Sequence, residues 1–394
     1  MSTPLFEQEH KIFFQTYKRL TLDIVRGEGC ILIDRDGKEY LDCFGGLAVN
    51  ALGYNHPGVK RAIEDQIGKY IHLSNYYVQE PQVRLAEHLI GVSKFQRIFF
   101  TNSGTEAVEG AIKLARKWGA RQGKRTLLGL SNSFHGRTMG ALSLTERPKY
   151  REGYEPFLQN TGHVAFNDVA DLQAKVNEET LGVVLECIQG EGGINVVSGE
   201  FVNALETLRR KYGFLVIADE IQSGIGRTGK FFAFEHFNFM PDVVVIAKAI
   251  GGGLPLGAIL GGSRVSDTFT YGVHGTTFGG NPVACAAGRV VMEEVVERGL
   301  MKRAEEMGGY LKSGFLEMQR NSPDRIKHVR GFGCMIGVEL DREGAPLVEE
   351  LQHRGILVNC TNTNVLRLLP PYIISREQCD RVLREVGKVL GLAV

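Results

Sequence analysis

Val243-Val-Val-Ile-Ala-Lys-Ala-Ile-Gly-Gly-Gly253 is an apolar run broken only by Lys248, with no acidic residue inside it. A continuous stretch of β-branched residues reads as a strand buried on both faces, the kind that builds parallel sheets. An ammonium at its end is costly unless it is paired or neutralised, and burial lowers a lysine pKa. A neutral, desolvated amine is a nucleophile toward carbonyl carbon. A lysine that merely snorkels from a strand end would leave the same run. A second apolar run, Phe214-Leu-Val-Ile-Ala218, ends in Asp219-Glu220. An acid and an amine at the ends of two buried strands point to pyridoxal phosphate, an electron sink tuned by groups around its ring.

Working outward, Arg97-Ile-Phe-Phe-Thr101, Thr126-Leu-Leu-Gly-Leu130 and Gly182-Val-Val-Leu-Glu186 read as further buried strands. Helical patterns lie between them, one after Thr105 with Val108, Ala111, Ile112 and Ala115 on one side, another over Phe201–Tyr212. Strands alternating with helices predict an α/β fold, a large, mostly parallel sheet covered on both faces. Ligands in such folds sit at the carboxyl ends of strands. The window Val243–Gly262 has nearly the length of a membrane span, yet it holds six glycines, a proline and the lysine. It therefore reads as a strand followed by a glycine-rich loop, since a midplane lysine is expensive in lipid. Before residue 60, Asp36-Gly37 between Cys30–Asp34 and Glu39–Asp42 predicts a hairpin. Beyond residue 283 a long helix, Val283–Glu297, precedes a strand over Gly333–Leu340, and the end of the chain reads as a smaller α+β unit.

Composition narrows the partners. A net charge of +1 gives no reason to expect nucleic acid or an anionic membrane. Seven cysteines are scattered singly without a C-x-x-C pair, which argues against a disulfide framework or a zinc site and for a reducing cytoplasm. The ten histidines show no ligand spacing, so no metal is expected. Met1–His10 carries early acids and no apolar core, so it does not read as a signal peptide.

Several loops carry candidate chemistry. Asn102-Ser103-Gly104-Thr105 lies between a strand and a helix start, where free amides and the helix dipole bind phosphate. It reads equally as an N-cap by Ser103 or Thr105 with Glu106 in the first turn. Gly224-Ile-Gly226-Arg-Thr-Gly229-Lys230 matches G-x-G-x-x-G and nearly matches a P-loop, but Phe231 replaces the magnesium-binding hydroxyl. No bare strand precedes it and no clear helix follows, so the context for nucleotide binding fails. In Phe134-His-Gly-Arg137-Thr138, Phe134 offers a ring to stack on a planar group, and Arg137 offers a carboxylate clamp or is a surface arginine. Arg367, in Val365-Leu-Arg-Leu-Leu-Pro370, is set among apolar residues and needs a buried acid or a ligand carboxylate. Glu191, in Gln189-Gly-Glu-Gly-Gly193, is a plausible resting counter-ion for it.

Taken together, these segments resemble the class III (ornithine and 4-aminobutyrate type) aminotransferases of the pyridoxal-phosphate fold type I superfamily. The resemblance runs from Tyr40-Leu-Asp-Cys-Phe-Gly-Gly-Leu-Ala-Val49 to Arg367-Leu-Leu-Pro-Pro371. Its most specific blocks are Asn102-Ser-Gly-Thr-Glu-Ala107, Asp219-Glu-Ile-Gln222, Ala247-Lys-Ala-Ile-Gly-Gly-Gly253 and His274-Gly-Thr-Thr-Phe-Gly-Gly-Asn-Pro282. Ser74-Asn-Tyr-Tyr77, Phe134–Thr138 and Val358-Asn-Cys-Thr361 look most like the branch that acts on N2-acetylornithine. In that branch asparagine often stands where this chain has Val108, which reads as a change in helix packing.

The resemblance implies a fold type I architecture. Residues 1–60 would be a segment packed with the small domain, 61–282 the large cofactor domain and 283–394 the small α+β domain. Lys248 would bind pyridoxal 5′-phosphate covalently and shuttle the proton at the reacting carbon, and Asp219 would pair with the pyridine nitrogen. Gln222 would bond the phenolic oxygen and Phe134 would stack on the ring. Ser103, Gly104 and Thr105 would cradle the phosphate. Thr277 would reach the phosphate of a neighbouring subunit, with Thr276 near the substrate, which implies a homodimer with shared sites. Arg367 would bind the α-carboxylate of glutamate, Glu191 would gate it, and Arg137 would take the far carboxylate or that of acetylornithine. The implied reaction is ping-pong transfer of the δ-amino group of N2-acetylornithine to 2-oxoglutarate in arginine biosynthesis. Ornithine, succinylornithine and 4-aminobutyrate are the alternative donors. A nucleotide-dependent enzyme, or a catalytically dead homologue with a structural role, would be readings of another kind.

Overall fold

The computed structural model describes residues 4–392. The first three residues of the stretch read for a leader, and the last two of the expected C-terminal domain, lie outside the described residues.

The centre is a seven-stranded sheet: β1 (Arg97–Thr101), β2 (Thr126–Leu130), β3 (Thr161–Val164), β4 (Thr180–Leu185), β5 (Leu215–Asp219), β6 (Val243–Ile246) and β7 (Gly257–Gly261). Its order is β1-β7-β6-β5-β4-β2-β3. Pairings among β6, β5, β4, β2 and β3 are parallel, and β7 runs antiparallel to both of its neighbours. Every residue of β4, β5, β6 and β7 is buried, because helices cover both faces. Alternation along each strand divides the core. Val243, Val245, Leu215 and Ile217 pack with α1 (Gly104–Ala120), while Val244, Ile246, Val216 and Ala218 face the larger cluster on the other side. Val108 lies in the α1 packing, 2% exposed.

Strands β3 and β7 are absent from the sequence expectation. The stretch after Lys248 is not loop throughout: Gly257-Ala-Ile-Leu-Gly261 returns as the antiparallel strand. Its glycines hid it, and the fold requires one of them. A Cβ on Gly257 would stand 2.6 Å from Thr101 Oγ1 and 2.7 Å from the Ser103 carbonyl. A side chain there would expel the loop that opens α1. The expected helix Val283–Glu297 is likewise two pieces, a regular helix over Pro282–Met292 and a π-turn over Glu293–Glu297.

A second sheet near the C-terminus contains β8 (Ile326–Phe332), β9 (Met335–Leu340), β10 (Asn359–Thr361) and β11 (Val365–Leu368) in the order β8-β9-β11-β10, all antiparallel. The hairpin strand Glu39–Asp42 pairs in parallel with Ile356–Leu357, so the start of the chain is stitched to its C-terminal third.

Candidate active site

The carboxyl ends of β1, β2, β4, β5 and β6 converge on one edge, and each delivers a polar group. Asp219 closes β5, and its Oδ2 lies 2.7 Å from Nδ1 of His135, in the loop after β2. Its Oδ1 accepts from Ile221 N at 3.1 Å. His135 is buried, and its Nε2 has no partner among the described residues. Burial pulls this imidazole down, but the Asp219 carboxylate outweighs it and the net direction is up. Glu186, just after β4, accepts from Phe134 N at 2.9 Å and Gly190 N at 3.0 Å. Burial pushes its carboxyl up to about 7, with His135 working the other way. Sequence reasoning chose the neighbours of His135 and passed over it. An imidazole inside Phe134–Thr138 was a signal, but nothing local aims it at an acid more than eighty residues later.

Glu220 shares a dipeptide with Asp219 and does different work. Alternation turns it away from Asp219, where its carboxylate takes Ser223 Oγ at 2.7 Å, Ala233 N at 3.0 Å and Phe234 N at 2.9 Å. It holds the loop beyond β5 in place.

At the end of β1, Ser103 is the N-cap of α1, its Oγ accepting from Glu106 N at 3.3 Å. The amides of Gly104 and Thr105 point out of the helix start without partners among the described residues. Thr105 Oγ1 lies 2.9 Å from Thr138 Oγ1. Gly136, at φ +137°, makes room, because a Cβ there would sit 2.3 Å from Thr105 Oγ1. Capping and an open donor pair thus coexist: one residue caps and the next two leave their donors free for an anion.

Arg367 is 1% exposed and bonded to four acceptors. It reaches Glu191 Oε1 at 2.5 Å, the Gly190 carbonyl at 3.0 Å, Asn359 Oδ1 at 3.1 Å and Gln222 Oε1 at 3.2 Å. Burial works to raise the Glu191 carboxyl, but Arg367 overrides it and holds it below the usual range. Lys248 lies beside this pair. It has left-handed backbone (φ +53°) and no hydrogen bond or ion pair with any described residue. Desolvation, then the charge of Arg367, depresses its pKa to about 8, against the pull of Glu191, Asp219 and Glu186. At pH 7 about one such amine in ten is neutral, against roughly one in three thousand for an ordinary lysine.

That depression has a price in stability. Because the folded pKa lies below the unfolded one, the penalty is fully developed below pH 8, shrinks as the pH rises, and vanishes above about 10.5. Lys248→Met is therefore expected to stabilise the cofactor-free chain by roughly 3 kcal/mol at pH 7. Denaturant titrations at pH 7 and 11 check this, and an equal gain at both pH values would contradict it.

The remaining candidates line the approach. Phe134 packs edge-on to Tyr150 with centroids 5.7 Å apart, and the Arg137 guanidinium lies 3.9 Å from the Tyr150 centroid and 5.4 Å from that of Phe134. Thr276 Oγ1 accepts from Gly279 N at 3.2 Å and Asn102 Nδ2 at 3.4 Å, which puts it against the α1 loop. Thr277 is exposed and is not brought to the Lys248 cluster within the chain. The Gly224–Lys230 loop packs inward. Its Arg227 is fully buried and donates to the Cys334 carbonyl at 3.2 Å and the Pro370 carbonyl at 2.5 Å. The glycines there turn the chain (φ +85° at Gly226, +84° at Gly229) against Val295 and Glu305. The loop joins the two sheets.

An unpaired amine depressed toward neutrality, an acid fixed by an imidazole and a helix start with two open amides fit a phosphorylated pyridine aldehyde. Such a set defines an enzyme that works through a lysine-bound pyridoxal cofactor. Residues 12–390 match the family model for class III aminotransferases, and the chain belongs to that family. It is 45% identical over 376 residues to the acetylornithine aminotransferase of Aquifex aeolicus, covering 94% of this chain and 98% of that one. It is 41% identical over 390 residues to the acetylornithine aminotransferase of Methanothermobacter thermautotrophicus, covering 99% of each. Among solved structures, the ornithine aminotransferase of Toxoplasma gondii superposes with a TM-score of 0.94 at 28% identity, over 98% of this chain and 94% of that one. Another structure of that enzyme has pyridoxal phosphate partly occupying its active site. The cofactor of the present chain is pyridoxal 5′-phosphate.

Proposed function

We propose that the protein transfers the δ-amino group of N2-acetylornithine to 2-oxoglutarate by a ping-pong mechanism, giving glutamate and N-acetylglutamate semialdehyde, a step of arginine biosynthesis. Acetylornithine aminotransferases at 41–45% identity over nearly the whole chain support the donor. The observation that carries the reading is the buried Arg367–Glu191 pair beside an unpaired Lys248, with Arg137 uncompensated across the approach.

Pyridoxal 5′-phosphate, when bound, supplies the carbonyl that captures the amine and an electron-poor ring that accepts electrons from the reacting carbon. The Gly104 and Thr105 amides, with the hydroxyls of Ser103 and Thr105, hold the phosphate. Asp219 would accept the ring N–H, and His135 keeps that carboxylate oriented. Phe134 packs on the ring face and Gln222 donates to the phenolic oxygen. Lys248 Nζ would take the proton from the donor carbon, a role that a pKa near 8 suits at neutral pH. Arg137 binds the single carboxylate of acetylornithine, while Glu191 neutralises Arg367. When 2-oxoglutarate enters, its carboxylate next to the keto carbon displaces Glu191 from Arg367, and its far carboxylate goes to Arg137. One site thus takes a monocarboxylate and a dicarboxylate in turn.

The working unit is a homodimer. Tyr76, Val78, Tyr271 and Phe278 are exposed around Thr276 and Thr277, an apolar face suited to a second copy that would receive Thr277 at its phosphate. Residues 1–60, 61–282 and 283–394 act as N-terminal segment, cofactor domain and small domain. Seven free cysteines suit a cytoplasmic setting. Titration of the holoenzyme followed by visible absorbance tests the reading. Acetylornithine should discharge the cofactor band and 2-oxoglutarate should restore it. Discharge by ornithine or 4-aminobutyrate alone would replace the donor, and no band after adding cofactor would sink the reading.

A further inference from the structure

Arg147 lies at the start of the short helix Pro148–Arg151, 9% exposed. Its Nη1 donates to the Glu191 carbonyl, and no other donor of its guanidinium has a partner among the described residues. Those free N–H groups are not sealed inside the protein, so a ligand can reach them. The carbonyl does not depend on Arg147, because Thr361 Oγ1 also donates to it at 2.5 Å. The charge is likewise uncompensated. Arg137, Lys149 and Arg147 surround the ring of Tyr150 at 3.9, 5.0 and 5.5 Å from its centroid, and none of the three is in an ion pair among the described residues. Three like charges around one ring repel each other, and a guanidinium with most of its five donors idle is a carboxylate site awaiting its anion.

We propose that Arg147 is a further specificity-determining residue: with Arg137 it forms a two-arginine clamp for the substrate carboxylate remote from the transferred amine. The proposal rests on the aminotransferase reading and adds a second ligand to its carboxylate site. Arg147 favours substrates carrying a carboxylate at that end over simple ω-amines.

The test uses holoenzyme of the wild type, Arg147→Gln and Arg147→Lys. Glutarate, a dicarboxylate with no amine, is titrated against the visible cofactor band. Half-reaction rates are measured with acetylornithine and with n-pentylamine, which has no carboxylate. Arg147→Gln is expected to weaken glutarate binding roughly ten- to a hundredfold, the worth of a charge-assisted hydrogen bond. It should depress kcat/KM for acetylornithine about tenfold more than that for pentylamine, with Arg147→Lys intermediate. Equal losses with both amines would reduce Arg147 to a prop for the Glu191 loop and overturn the proposal, as would unchanged glutarate affinity. If wild-type enzyme is not discharged by acetylornithine, the donor assignment fails, while glutarate and pentylamine still decide the role of Arg147.

Discussion

Lys248→Ala is expected to reduce turnover by at least about four orders of magnitude, the upper end of what one positioned acid–base group supplies. The loss should be that large because the proposed mechanism gives one amine two tasks, holding the cofactor covalently and moving the proton. The setting explains how it manages both: no described residue pairs with it, and burial with Arg367 brings its pKa to about 8. Rapid-mixing absorbance would separate the tasks. The variant should still bind cofactor through the phosphate cradle, since Gly104 and Thr105 are untouched, yet proton transfer should stall and respond to added small amines. Retention of more than about one per cent of wild-type kcat would remove Lys248 from the mechanism.

Asp219→Asn should cost roughly 10²–10³-fold in kcat, the loss typical of removing one preorganised electrostatic partner. An amide cannot hold the ring nitrogen protonated, so the electron sink weakens while substrate carboxylates still find Arg367 and Arg137. KM for both substrates should therefore move little. A second signature comes from His135, which the Asp219 carboxylate raises above its ordinary pKa. Stabilisation from such a group is complete below about pH 6.5 and fades as the pH climbs through the raised value. The variant should lose that slope. A loss confined to KM, or an unchanged pH–stability slope, would contradict the Asp219–His135 arrangement.

How much of this was legible in sequence depended on whether a residue's meaning is local. Lys248 and Asp219 each ended an unmistakable apolar run, and the α/β fold followed from the same runs. Arg367 announced itself by its company, because a guanidinium among leucines must have a partner. Strand β7 was illegible because two of its five residues are glycine, kept small by the loop pressed against Gly257. His135 and Arg147 escaped for a different reason. Each is an ordinary polar residue until the chain folds it against a group more than forty residues away. The Gly224–Lys230 loop carries motif-like glycines that its sequence context already set aside, and they serve tight turns around a buried arginine.

That arginine bears on how the enzyme changes shape. Arg227 grips the carbonyls of Cys334, in the turn between β8 and β9, and of Pro370, just beyond the Arg367 strand, and Tyr372 Oη donates back at 2.9 Å to the Ile225 carbonyl. The strand carrying Arg367 and the loop that follows Asp219 and carries Gln222 are therefore riveted together. Exchange between a donor with one carboxylate and an acceptor with two need not wait for a slow hinge between lobes. Under the proposed gate, a single glutamate swinging aside would suffice, a side-chain rearrangement intrinsically faster than domain closure. On that proposal both halves of the catalytic cycle would proceed in one rigid chamber whose selectivity is reset by one rotamer.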